Sequence, residues 1–295
     1  MKYIYKIIVI LVFLMAIKVS AQQDPNYTLY VYNMNLINPA YAGANNTTDL
    51  GVNIRSQWSN VKGAPETQSF IFGTPVGSNL GVGLSIISDK TFIEKQTSIA
   101  ADFSYHLQLS ENHDLYLGLK AGFNSYNANT EGLVTYGIQQ DPNLMNLSGR
   151  FNPNFGAGAY FSHEKYFLSL SMPKILTNDR LEEENGTARA GSDKQHIYLG
   201  GGYNISLSGN MVLKPSVLLR YVNASPLSVD ITAMLEFSEY FNLGAAYRVD
   251  ESVSGLAIFK VSNSLRIGYA YEVSTQSAVR YMDNGTHEIM LNLKL

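Results

Sequence analysis

The last nine residues, His287–Leu295, constrain the chain most. Ile289, Leu291, Leu293 and Leu295 make one apolar row, while Glu288, Asn292 and Lys294 make the other, with Met290 among them. A period of two is that of a strand with one face in an apolar medium and one in a polar medium. Exposed apolar edges invite aggregation, so this strand calls for a partner, most simply the first strand. A closed antiparallel barrel meets that need, and in lipid it is the sheet that satisfies every backbone group.

The same alternation recurs upstream. Leu50, Val52, Ile54 and Trp58 oppose Asp49, Asn53, Arg55 and Gln57; Leu80–Ile86, Ile99–Leu107, Leu115–Asn124 and Asn154–Phe161 repeat the pattern. In the second half it returns at His196–Ile205, Leu227–Phe237, Asn242–Arg248 and Leu265–Glu272. Weaker candidates are Thr67–Gly73, Tyr166–Met172, Met211–Asn223 and Ser252–Val261. With the closing strand this predicts an all-β transmembrane antiparallel barrel of about 14 strands, an even number as in bacterial outer-membrane barrels.

Connection lengths and aromatics separate a membrane barrel from a soluble sandwich. Short connections fall at Gly73–Asn79, Ser110–His113, His163–Lys165, Ser208–Asn210, Ser238–Tyr240 and Ser262–Ser264. Long ones fall between them, at Asn127–Arg150, Pro173–Lys194 and Ser274–Thr286, as expected for periplasmic turns and extracellular loops. Phe161, Tyr166, Phe237 and Phe241 collect at the short-turn end, and Trp58, Phe155, Tyr221, Tyr247 and Tyr271 at the long-loop end. Two such belts match the interfacial girdles of a membrane barrel.

The division expected is residues 1–21 as a signal peptide, 22–47 as an irregular N-terminal segment and 48–295 as the outer-membrane barrel. Lys2 and Lys6 supply the charged start, Ile7–Ile17 the apolar core, and Val19-Ser20-Ala21 a small-residue cleavage site. Cleavage would remove Lys2, Lys6 and Lys18 and no acids, moving the formal charge from −3 to −6. Without a basic stripe, nucleic acid is not an expected partner. The absence of Cys excludes disulfides, thiolate metal sites and Cys nucleophiles.

The polar row, predicted to face the lumen, mixes Arg55, Lys120, Arg248 and Arg266 with Asp102, Asp230, Glu236, Glu272 and Glu288. Many other positions on it are Gly or Ala. That leaves space for the Gln22–Thr47 segment or a partner peptide; alternatively, the glycines relieve crowding in a curved sheet. Asp102, Ser104 and His106 share a strand face, but same-face neighbours stand roughly 7 Å apart, too far for a proton relay. The five His lack metal-ligand spacing. The acidic run Glu182–Glu184 reads as a solvated loop face, with calcium a minor alternative.

The segment Tyr32-Asn33-Met34-Asn35-Leu36-Ile37-Asn38-Pro39-Ala40-Tyr41-Ala42-Gly43 resembles the opening signature of the PorP/SprF family of type IX secretion outer-membrane proteins. The resemblance continues at Arg55-Ser56-Gln57-Trp58, Lys214-Pro215-Ser216, Arg220-Tyr221, Asp230, Tyr247-Arg248, Gly268–Glu272 and Thr286–Ile289. It implies a non-enzymatic barrel, without cofactor or metal, that assists secretion or surface anchoring of a substrate such as a gliding adhesin. Expected partners are outer-membrane lipid, the adhesin or its C-terminal sorting domain, and other components of the apparatus. Asn38, Pro39, Ala40, Tyr41, Ala42, Gly43, Arg55 and Trp58 are then structural motif residues, and Arg220, Asp230, Arg248, Glu272 and His287 lumen or partner contacts. A porin or hydrophobic-solute channel is the alternative, and an outer-membrane lipid hydrolase a third reading.

Overall fold

The computed structural model describes residues 25–129, 151–177, 194–207, 211–223, 225–237, 240–276 and 284–295. The expected signal peptide, the acidic run Glu182–Glu184 and much of the three long loops lie outside them. The first half of the sheet comprises β1 (Asp49–Ser56), β2 (Glu66–Val76), β3 (Leu80–Thr91), β4 (Glu94–Ser110), β5 (His113–Ala128), β6 (Phe151–His163) and β7 (Tyr166–Met172). The second comprises β8 (His196–Tyr203), β9 (Ile205–Ser206), β10 (Val212–Val222), β11 (Ser228–Glu236), β12 (Phe241–Arg248), β13 (Ser252–Lys260), β14 (Leu265–Ser274) and β15 (Thr286–Lys294). β8 and β9 are two pieces of one stave broken at Asn204, and both pair with β10. The fifteen strands therefore make fourteen staves, each antiparallel to its neighbours.

The last strand does meet the first. β15 pairs with β1 without a bulge, from Asp49 opposite Lys294 to Ser56 opposite His287. Thr48 and Leu295 extend the seam with reciprocal backbone hydrogen bonds of 2.9 and 3.1 Å. Closure leaves no edge, which is what a sheet in lipid requires.

Alternation sets inside and outside as the sequence predicts. On β1, Val52 and Ile54 are 45% and 44% exposed, whereas Asn53 and Arg55 are buried. On β15, Ile289 and Leu291 point out while Glu288, Met290 and Asn292 are buried. The Trp58, Phe155, Tyr221, Tyr247 and Tyr271 belt is exposed at the long-loop end, and Phe237 at the other.

Two strands run further than their apolar rows. β3 continues from Ile86 to Thr91, and β4 begins at Glu94 rather than Ile99, joined by a turn of only Phe92 and Ile93. Their outward residues there (Ser88, Lys90, Lys95, Thr97) are polar, as expected of a stretch that runs past the apolar band. The backbone still pairs, but the hydrophobic period that would announce a strand is gone.

Inside the barrel lies the segment that precedes β1. Four single 3-10 turns, Tyr30–Tyr32, Met34–Leu36, Pro39–Tyr41 and Ala44–Asn46, carry it along the lumen. Asn38 accepts from the Ala40 N–H at 2.9 Å and Pro39 occupies the first turn position, so one turn is capped by its own sequence. Gly43 has φ +66°, and a Cβ there would run into the Thr74 backbone.

The seam is directly testable, because the natural chain contains no Cys. Ile54→Cys and Ile289→Cys, directly opposed, should cross-link under oxidation and hold the barrel compact when boiled in SDS. The off-register pair Ile54→Cys with Leu293→Cys should stay open.

Candidate functional site: the plugged lumen

The glycines of the inner face mark where the plug comes closest. A Cβ on Gly118 would collide with the Ala40 backbone, one on Gly81 with the Ala42 carbonyl, and one on Gly158 with the Asn38 side chain. Of the two sequence readings of these glycines, the structure supports room for the N-terminal segment. Small wall residues let the Asn38–Ala42 turn touch β3, β5 and β6.

Wall hydroxyls then meet the backbone carbonyls of the plug. Ser104 Oγ donates to Ala42 O at 2.5 Å and Ser171 Oγ to Ile37 O at 2.7 Å. Asn38 Nδ2 donates to Ala159 O at 3.0 Å and Ser169 Oγ at 2.8 Å. Apolar contacts fill the rest. Leu29 packs with Met234, Leu256, Ile258 and Met290, and Tyr30, Met34, Leu36 and Ile37 pack with Ile71, Tyr198 and Leu218. Met290, the residue that interrupts the polar row of the last strand, is there to cover Leu29.

The plug runs from one mouth to the other. At the short-turn end, Asn45 N–H donates to the Tyr116 hydroxyl at 3.2 Å, beside the turn between β4 and β5. At the long-loop end, the Glu288 carboxylate accepts from the backbone N–H groups of Thr28 (2.8 Å) and Leu29 (3.2 Å). Arg55 binds both Glu288 (3.0 Å) and Glu272 (2.9 Å) and donates to Thr28 Oγ1 at 2.9 Å. Asn53 Nδ2 donates to Glu288 Oε1 at 2.9 Å. Arg248 extends the cluster, with its Nε 2.6 Å from Asp230 and its Nη1 3.7 Å from Glu272.

Residues scattered over the whole sequence thus converge. Arg55 sits at the centre, Glu272, Arg248 and Asp230 surround it, and Asn38–Gly43 form the turn seated against β3–β6. Arg220 is buried on the inner face of β10. His287 does not join them, and its assignment as a lumen contact is corrected. Lying between inward Thr286 and Glu288, it projects outward, where its Nδ1 is 2.8 Å from the Tyr269 hydroxyl. Trp58 stands at the rim with φ +45°, its N–H donating to Thr286 Oγ1 at 3.3 Å. Thr28, Leu29, Asn53 and Met290 are the site residues that sequence reasoning missed. Glu288 was legible as one member of the polar row and of the Thr286–Ile289 family stretch, but not as the residue that holds the plug.

The superficially triad-like residues are engaged separately. Asp102 pairs with Lys120 at 2.8 Å, Ser104 holds the plug, and His106 pairs with Asp114 at 2.7 Å. Two cavities of about 60 Å³ each flank the plug, one toward either mouth. Among the described residues no group of three or more His, Asp or Glu is placed to hold a metal ion.

A model of the type IX secretion system membrane protein family PorP/SprF matches residues 19–293, nearly the whole sequence. The chain belongs to the PorP/SprF family. Comparison with curated protein sequences finds no significant match. Among solved structures, the chain is similar to the CymD monoaromatic hydrocarbon channel, with 11% identity, 89% of this chain and 91% of that one covered, and a TM-score of 0.50. A TodX monoaromatic hydrocarbon channel deletion mutant gives 9% identity, coverages of 87% and 91%, and a TM-score of 0.50. The outer membrane protein Omp33 of Acinetobacter baumannii gives 10% identity, coverages of 85% and 98%, and a TM-score of 0.47. At such identities the likeness is one of fold, that of outer-membrane barrels. Fold and family together point to the outer membrane for this PorP/SprF protein.

Glu288→Ala should leave Arg55 with one of its two carboxylates and strand two plug N–H groups in a dry site. Removing one partner of a buried pair costs about 3–5 kcal/mol. Urea or heat titration of the refolded barrel should show a loss of that size, with Glu288→Gln intermediate.

Proposed function

We propose that this PorP/SprF protein is a binding and anchoring component of the type IX secretion system. It assists the secretion or surface attachment of a substrate protein such as a gliding adhesin, by engaging the substrate's C-terminal sorting domain. The observation that carries the reading is the filled lumen. Tyr30, Met34, Leu36, Asn38, Ala40 and Ala42 are each at most 4% exposed inside the barrel. A barrel that spends its bore on its own chain is suited to present a surface rather than to conduct solutes.

The chemistry of the interior supports a scaffold role as well. Arg55, Lys120 and Arg248 are paired with the interior carboxylates, Glu288 also holds the plug, and Asn38 of the family signature holds the plug to the wall. Catalysis has no part in this reading, and neither has a cofactor. Other components of the apparatus are the natural neighbours of such a barrel in the membrane.

The decisive experiment is a pull-down from detergent-solubilised outer membrane, repeated in a strain whose adhesin lacks its C-terminal domain. One dominant secreted partner should be recovered, and it should vanish with the domain. Recovery that survives the deletion would overturn the proposal.

A further inference from the structure

The outward face of β3 and β4 changes character above the lipid band. Its apolar rows end at Ile86 and Ile99, which lie opposite each other. Four residues further along β3 stands Lys90, and directly opposite it on β4 stands Lys95. Both are exposed. At about 3.3 Å per residue along a strand tilted by roughly 40°, the pair lies about 10 Å beyond the apolar band. On the long-loop side, that is the zone of the outer-leaflet headgroups.

Like charges directly opposite each other on a sheet repel. Neither lysine has a hydrogen-bond or ion-pair partner among the described residues. Glu66, opposite Lys90 on β2, accepts from Gln68 Nε2 at 3.0 Å instead of bridging to the lysine. Other cations of the barrel are paired, among them Arg55, Lys120, Lys214 and Arg248, whereas Lys260 and Arg266 stand opposite each other without an ion pair among the described residues. An anion between the two ammonium groups of Lys90 and Lys95 would remove the repulsion and supply charge-assisted hydrogen bonds.

The hairpin tip above the pair is a second, independent observation. Phe92 has φ +54° and is 61% exposed. A bulky residue at positive φ is strained. It is held there by a 2.9 Å hydrogen bond from its N–H to the Gly63 carbonyl. A Cβ on Gly63 would meet the Phe92 ring at 2.9 Å, so the neighbouring loop is shaped to the ring. The bracing fixes an exposed aromatic ring two residues beyond Lys90, past the end of the apolar rows.

We propose that Lys90, Lys95 and Phe92 form a binding site for an outer-leaflet glycolipid headgroup. The lysines take a phosphate or carboxylate on the sugar, and the ring stacks against the sugar itself. The source is the lipid rather than a free anion, because the site hangs over the membrane surface and pairs charge with an aromatic platform. This goes beyond the secretory role and is independent of it.

The test uses the full mature protein in detergent, with lipopolysaccharide, phosphatidylglycerol vesicles and inorganic phosphate as probes. K90E/K95E should weaken lipopolysaccharide binding at least tenfold and flatten its salt dependence, while Lys165→Glu in a short turn leaves it unchanged. K95E alone should weaken binding yet raise the thermal midpoint, since the new carboxylate pairs with Lys90 and faces the neutral Asn127 on its other side. That combination separates a lost ligand from a damaged fold. Phe92→Ala should weaken lipopolysaccharide binding with no effect on phosphate. Unchanged binding in K90E/K95E would overturn the proposal. Equal affinity for phosphatidylglycerol, or full displacement by millimolar phosphate, would do the same.

Discussion

Closing the barrel and anchoring its plug are one event, because the seam register sets Arg55 directly opposite Glu288. A sheet in lipid must pair its last strand with its first. Here that obligatory pairing also assembles a buried ionic cluster, since β14 adds Glu272 and the lumen adds the N–H groups of Thr28 and Leu29. Before β15 reaches β1, neither Arg55 nor the plug has its main partner. The plug therefore locks where the two ends of the barrel meet.

The buried charges gain their value from that geometry. An ion pair in a dry interior repays its desolvation only when the remaining hydrogen-bonding groups are also satisfied. Glu288 receives two backbone N–H groups, an amide and a guanidinium, while Arg55 reaches two carboxylates and a hydroxyl and leaves only its Nε without a partner among the described residues. The plug is thus more than filler. Its backbone completes a cluster that would otherwise hold buried acids short of donors. The same logic at the other end is weaker, where hydroxyls and glycines allow the Asn38–Ala42 turn to lie flat on the wall.

Much of the barrel was legible because lipid forces the outward positions to be apolar. Ile289 and Leu291 declared their strand, and so did Phe103 and Leu119. Where the medium changes from lipid to water the signal fails, and the continuation of β3 and β4 to Thr91 and from Glu94 was invisible for that reason. The plug was legible as an aperiodic but turn-rich segment, and the inner glycines hinted at something lying against them. Its contacts were not legible, because Thr28 meets Glu288 across 260 positions of sequence. The outward turn of His287 follows from parity alone, which the family motif obscures by listing it beside Glu288.

An account in which the chain fills its own bore has one most direct test. Ion current through planar bilayers should be compared for the mature protein and for a variant lacking residues 25–47, after confirming that the variant still forms a barrel. The intact chain should stay closed, and the deletion should open steady large channels. A steady, large conductance from the intact chain would contradict the account.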